Sequence, residues 1–187
     1  RPWDKTIYIK IVKGFFREGD QLHVNYGDPI GGCPGMRMQT FCEETFEFKV
    51  LVDAFATYQY CEVPDSPVLQ IVPGLATKWV AQLPTMRRVN EAFSFRLKAE
   101  DRWGNPTAKT DLGFNLISNL PVDGLLQEIK LSPKNEGLFL LDGLSVSGKG
   151  DLFIQLNDSS GNFVCRSNPL KIVEDSELLP YWGELHG

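Results

Sequence analysis

The feature that most constrains this chain is the period of its apolar residues. They recur at every second position in short runs, and Gly, Pro, Asn and Asp punctuate the gaps. The clearest run puts Phe46, Phe48, Val50 and Val52 on one side and Glu47 and Lys49 on the other. Ile7, Ile9 and Ile11 alternate in the same way, as do Phe93, Phe95, Leu97 and Ala99, and later Leu152, Ile154 and Leu156. A period of two places successive side chains on opposite faces of a strand, whereas an amphipathic helix needs a period near 3.6. No run carries a helical period, so the expected fold class is all-β.

The 187 residues are enough for one large or two small domains. Strand patterns over 6–12, 21–26, 36–41, 45–53, 58–63 and 68–72 make a sandwich or barrel of about six strands, closing at Pro73-Gly74. This is domain 1–74. Domain 75–174 follows, with strand patterns at 78–83, 92–100, 112–117, 125–131, 137–141, 151–157, 163–166 and 169–173. A set of about seven strands over roughly a hundred residues is the count of an immunoglobulin-like sandwich. Two consecutive β-sandwiches, the second immunoglobulin-like, are therefore expected. Asp101 to Pro106 and Asp158 to Asn162 read as tight reversals between strands. Arg87-Arg88, with Glu91 close behind, reads as a solvated loop. Residues 175–187 form an acidic linker and then one more strand pattern.

Charge and cysteine usage narrow the partners. The formal net charge is −5, from 19 basic and 24 acidic residues spread along the chain. Binding a phosphate backbone needs clustered Lys and Arg, so nucleic acid is not an expected partner. No apolar run is long enough to span a bilayer and the N-terminal stretch has no signal-peptide core, so no membrane partner is expected and a cytoplasmic location is. Cys33, Cys42, Cys61 and Cys165 show no Cys-x-x-Cys spacing; they read as reduced thiols rather than a zinc site or a disulfide framework.

Catalytic patterns are missing from the same residues. Gly143-Leu144-Ser145-Val146-Ser147 departs from a nucleophile elbow at its last position, and adjacent carboxylates such as Glu43-Glu44 point apart on a strand. Catalytic residues in this stretch are therefore expected to be none. His23 lies opposite the apolar face of its strand pattern and reads as an edge histidine. The least ordinary segment is 27–35, with four glycines and two prolines in nine residues. That composition demands a shaped loop with positive φ angles, and it matches neither a P-loop nor a dinucleotide fingerprint. Asp28, Gly31, Gly32, Cys33 and the nearby Arg37 are its candidate contact residues. At Asp101 a calcium site is an alternative to the plain turn, although no run of alternating acidic ligands supports one.

The closing Tyr181-Trp182-Gly183-Glu184-Leu185-His186-Gly187 ends an apolar strand pattern on an imidazole, a residue able to ligate metal. This run resembles the opening motif of the polymerase-and-histidinol-phosphatase (PHP) type of metallohydrolase; Glu184 stands where such motifs more often carry Asp. More broadly, 27–55 (GDPIGGCPGMRMQTFCEETFEFKVLVDAF), 65–74 (DSPVLQIVPG), 99–107 (AEDRWGNPT) and the closing WGELHG resemble the bacterial family known as domain of unknown function 3604. The resemblance implies β-rich segments leading into a hydrolase core that holds a divalent metal on several His and acidic residues, with His186 as the first ligand.

Two functions are then expected alternatives. One is a non-catalytic N-terminal accessory region that carries no cofactor itself, with a C-terminal catalytic domain as its partner and homo-oligomer contacts through the 27–38 loop. The other is a free-standing module that binds carbohydrate or protein on exposed aromatics such as Tyr58, Trp79 or Trp103.

Overall fold

A computed structural model of the chain describes residues 6–32 and 34–174. The chain divides into two compact units, Arg1–Gln39 and Thr40–Gly187. The expected break at Gly74 thus falls inside the second unit. Ordered in sequence, the strands are β1 (Glu43–Glu47), β2 (Leu51–Val52), β3 (Cys61–Glu62), β4 (Val68–Ile71), β5 (Lys78–Gln82), β6 (Met86–Arg88), β7 (Phe93–Glu100), β8 (Leu112–Ser118), β9 (Glu128–Leu131), β10 (Leu138–Leu144), β11 (Gly150–Leu152), β12 (Ile154–Asn157), β13 (Phe163–Arg166) and β14 (Leu170–Val173). The only helical element among the described residues is the 3₁₀ turn Pro133–Asn135. The fold is all-β, as the alternation requires.

The first unit departs from its strand patterns. None of the described residues up to 39 lies in a strand, although 6–12, 21–26 and the start of 36–41 alternate like strands. A period of two makes a segment competent to pair, but a strand exists only where a neighbour completes its ladder, and among the described residues none does so here.

Residues 43–71 form two nested ladders. Strand β1 pairs antiparallel with β4, and inside it β2 pairs with β3. The single strand expected over 45–53 is split because the chain changes partner midway. At the changeover Phe48 N–H donates to the Pro67 carbonyl at 2.8 Å, and the Val50 carbonyl accepts from Val63 N–H at 3.0 Å. Phe46 and Phe48 meet edge to face at 5.3 Å. No residue of β1 to β4 is buried, so these four strands stand in place of the six expected and contribute nothing to a core.

From β5 onward the chain is an immunoglobulin-like sandwich. One layer has the order β10-β7-β5. The other contains β13-β12-β8-β9 and β11-β14-β6, and these two ladders continue one another. Strands β11 and β12 are separated only by Phe153, and β13 and β14 only by residues 167–169. Across that break Ser167 N–H donates to the Ile154 carbonyl at 2.9 Å, and Asn168 clasps Leu83 through its amide, at 2.8 and 2.9 Å. The Arg87-Arg88 stretch is not a solvated loop but β6, which runs parallel to β14 at the end of this layer. Two adjacent arginines in a three-residue strand hid it, since a half-buried edge needs no apolar face.

The alternating residues become the core. Ala81, Phe93, Phe95, Leu97, Ala99 and Leu144 from one layer meet Phe114, Leu116, Ile129, Leu131, Leu152, Ile154, Leu156, Leu170 and Ile172 from the other. Trp79 closes one flank, edge-on to Phe114 at 5.7 Å. Phe95 sits at the centre with 0% of its surface exposed. Replacing Phe95 with Ala leaves a cavity and should lower unfolding free energy by about 3–5 kcal/mol, read by urea denaturation; a loss under about 1 kcal/mol would contradict this packing.

Candidate functional site

Two turns in the sandwich share one five-residue pattern, Asp-x-x-Gly-Asn: Asp101 to Asn105 and Asp158 to Asn162. Each is built the same way. The Asp carbonyl accepts from the Gly N–H, at 3.0 Å in the first and 2.9 Å in the second, and the Asp N–H donates to the Asn carbonyl at 2.9 Å in both. The carboxylate Oδ1 accepts from the Asn N–H, at 3.0 and 2.8 Å, and Oδ2 accepts from the Asn amide Nδ2 at 3.0 Å in each. Gly104 and Gly161 take φ of 88° and 85°, the left-handed geometry that a side chain would strain.

Their surroundings differ. Asp158 and Asn162 lie at an exposed hairpin tip. Asp101 is only 3% exposed, and Asn105 and Thr107 are buried with it. Around the Asp101 turn two distant segments are tied down. The Asn105 amide donates to the Thr40 carbonyl at 2.8 Å and its Oδ1 accepts from Cys42 N–H at 3.0 Å. Gly74 N–H donates to Asp101 Oδ2 at 3.0 Å, the Thr107 hydroxyl donates to the Gly74 carbonyl at 2.7 Å, and Lys109 Nζ reaches the Pro73 carbonyl at 2.7 Å. Both ends of the β1–β4 excursion are therefore fastened to one turn. Gly137 completes the knot: at φ 74° its α-carbon lies so close to the Thr107 carbonyl that a Cβ would collide with it.

Electrostatics match this geometry. Burial pushes the Asp101 carboxyl up, but the Asn105 amide and the N–H groups of Gly74, Trp103 and Asn105 outweigh it and hold it at about 2, below the usual 3.8. At Asp158 the Asn162 amide, followed by the Asn162 N–H, likewise lowers the carboxyl. With N–H donors on both oxygens, Asp101 is an acceptor that holds the chain together, and the calcium alternative has no open oxygen to use. Among the described residues no group of three or more His, Cys, Asp or Glu is placed to hold a metal ion.

The residues singled out in the sequence lie elsewhere. In the first unit Asp28 Oδ1 accepts from Ile30 N–H at 2.9 Å, and Gly32 N–H donates to the Pro29 carbonyl at 3.2 Å. Gly31 and Gly32 both have φ of 82°, as the composition demanded. The loop closes on itself, since a Cβ at Gly27 would stand 3.1 Å from Met36 N. Arg37 is exposed, and Cys33 and His186 lie outside the described residues. His23 is exposed and bonded to Gln21 at 3.0 Å. Of the three aromatics, Tyr58 is 87% exposed, Trp103 lies under the Arg102 guanidinium at 4.5 Å, and Trp79 is spent on the core. In the sequence Asp101 reads as a turn or a calcium site and not as a junction; the recurrence of Asp-x-x-Gly-Asn is the signal of a repeated structural unit.

No family model and no curated protein matches the chain. Among solved structures, domains 4–9 of the surface layer protein SbsC align at 16% identity and a TM-score of 0.36, covering 66% of this chain and 18% of that one. Among the described residues no helix is long and apolar enough to cross a membrane.

The paired turns supply their own control. Asn105→Ala should cost about 2 kcal/mol, because it strands part-buried backbone groups of Thr40 and Cys42 and the buried Asp101 carboxylate, while Asn162→Ala should cost well under 1 kcal/mol; equal losses in denaturant titrations would refute the junction. The sign of the pH effect follows from the depressed carboxyl. Between about 4 and about 2 the unfolded chain binds more protons at Asp101 than the folded chain does, so stability falls as pH falls through that window. Asp101→Asn should flatten this acid limb of a melting-temperature profile, whereas an unchanged limb would count against it.

Proposed function

We propose that this chain is the non-catalytic N-terminal accessory region of a PHP-like metal-dependent hydrolase. The observation that carries the reading is the closing Trp-Gly-Glu-Leu-His-Gly run, whose His186 would be the first ligand of a metal site. A catalytic zinc ion takes three protein ligands, and other divalent metals likewise need donors beyond a single imidazole. One imidazole does not make such a site, so in this reading the other ligands belong to a catalytic domain that is this region's partner. The sandwich and its Asp101 junction suit a support: the polar groups of that junction are committed to holding chain segments in place. The 27–38 loop, with Asp28, Gly31, Gly32, Cys33 and Arg37, is then a contact surface toward that domain or toward another copy, and the location is cytoplasmic.

A free-standing carbohydrate- or protein-binding module is the second reading. It is favoured by Tyr58 and Phe55, each 87% exposed on the loop between β2 and β3, where Asp53 bonded to Phe55, Thr57 and Tyr58 N–H holds the backbone.

The deciding measurement is the mass and metal content of the natural gene product. The accessory reading expects a longer chain with bound divalent metal, and His186→Ala should lower its metal stoichiometry and its hydrolytic rate by tenfold or more. A natural chain ending at Gly187, or a longer one whose metal content ignores His186, would overturn it; glycan or protein capture by residues 1–174 alone would favour the module.

A further inference from the structure

Residues 7–12, Ile-Tyr-Ile-Lys-Ile-Val, have the alternation of a strand and lie in none among the described residues. Their side chains are open to solvent: Tyr8 is 80% exposed and Val12 87%, with Ile7, Ile9 and Ile11 near half. A run of apolar, β-branched residues in this state marks a surface built to be covered. The sandwich carries a feature of complementary kind. Strand β10 is the end strand of its layer, and among the described residues it is laddered to β7 alone. Its outward Leu138 and Leu140 are both more than half exposed. The edge has few of the usual guards: no Lys, no Pro, and a single bulge between Leu141 and Leu144.

Charge and pattern fit the two together. Residues 7–14 carry Lys10 and Lys13 and no carboxylate. Residues 135–142 carry Glu136 and Asp142 and no base. Lys134 precedes this stretch in the 3₁₀ turn, and Lys98 and Arg96 lie on β7 in register with Leu138 and Leu140, so the leucines stand between the β7 cations and an incoming strand. If Tyr8, Lys10 and Val12 take the outer face, Lys10 runs beside the Leu140–Asp142 side, and Ile7, Ile9 and Ile11 extend the inner face next to the half-buried Phe139 and Leu141.

We infer that residues 7–12 of one copy add as a strand to the β10 edge of a second copy of this chain. Main-chain hydrogen bonds along the edge supply affinity and the alternating side chains set the register. A reciprocal exchange closes as a dimer, and a one-way addition grows longer chains.

Sedimentation analysis of the full chain from about 1 µM to about 1 mM, a range that spans weak self-association, tests this. The expected result is an average mass that climbs above that of the monomer with concentration and climbs less in high salt. Lys10→Glu with Lys13→Glu should weaken association about tenfold. Adding Glu136→Lys with Asp142→Lys should restore it, and Ile9→Pro should abolish it by removing an edge N–H. Circular dichroism melts confirm that each variant keeps the sandwich. A monomer throughout, association indifferent to both the lysine reversals and Ile9→Pro, or a folded fourfold reversal that fails to recover association would each overturn the inference.

Discussion

The Asp101 carboxylate, saturated by N–H donors, is the constraint on which the arrangement of residues 40–110 depends. A carboxylate removed from water loses its hydration, and the loss is tolerable only if other donors replace it. Here the replacement comes from two separate stretches: the turn itself, through the Trp103 and Asn105 N–H groups and the Asn105 amide, and Gly74. Because every donor is fixed in the backbone or on a buried amide, satisfying one charge fixes the relative positions of the chain segments that carry them.

This matters most for the β1–β4 excursion. Two short nested ladders with no buried residue could not persist alone, since an isolated hairpin is marginal in water. Closing a loop of that length costs entropy that grows only slowly with length, so what the excursion needs is not a core but a firm attachment at both ends. The Asn105 clamp on Thr40 and Cys42 and the Thr107 and Lys109 contacts to Gly74 and Pro73 provide it. The less buried twin at Asp158, tied to the neighbouring strand β8 by the Asn115 amide at 3.3 Å, closes the same five-residue turn without clamping the ends of an excursion; burial turns the same motif from a reversal into a fastening.

Much of the sandwich was legible in the sequence because burial on one face leaves a period-two trace. The residues read as alternating on β7 and across β11 and β12 are among those that fill the core. What burial does not write, alternation cannot show. Strand β6 was missed because its residues are only half-buried and its partner β14 lies far along the chain. The pattern at 6–12 read as a strand because pattern records competence to pair and not the presence of a partner. The 27–35 loop was foreseen in its backbone, since glycine content dictates positive φ, but the contacts of Asp28 are local ones that any Asx turn makes. The role of Asn105 was hidden for a different reason: an amide advertises donors and an acceptor without naming the distant carbonyl and N–H that will meet them.

Glu100 and Asp101 show how two adjacent buried carboxylates can be accommodated by opposite means. Successive residues at a strand end point to different sides, so the pair does not compete for one environment. Glu100 is answered by cations, Lys98 at 2.6 Å and Lys78 at 3.3 Å, and the hydrogen bond from Lys98 leads the lowering of its carboxyl. Those lysines are substantially solvated, so the contribution of their pairing is small and yields to salt. Asp101 is answered by neutral dipoles inside the fold, which salt does not screen and which cannot move away without unravelling the turn. The sandwich thus places its salt-sensitive charge pairing on the outer face of β5 and β7, and its salt-insensitive one at the point where the preceding chain is moored.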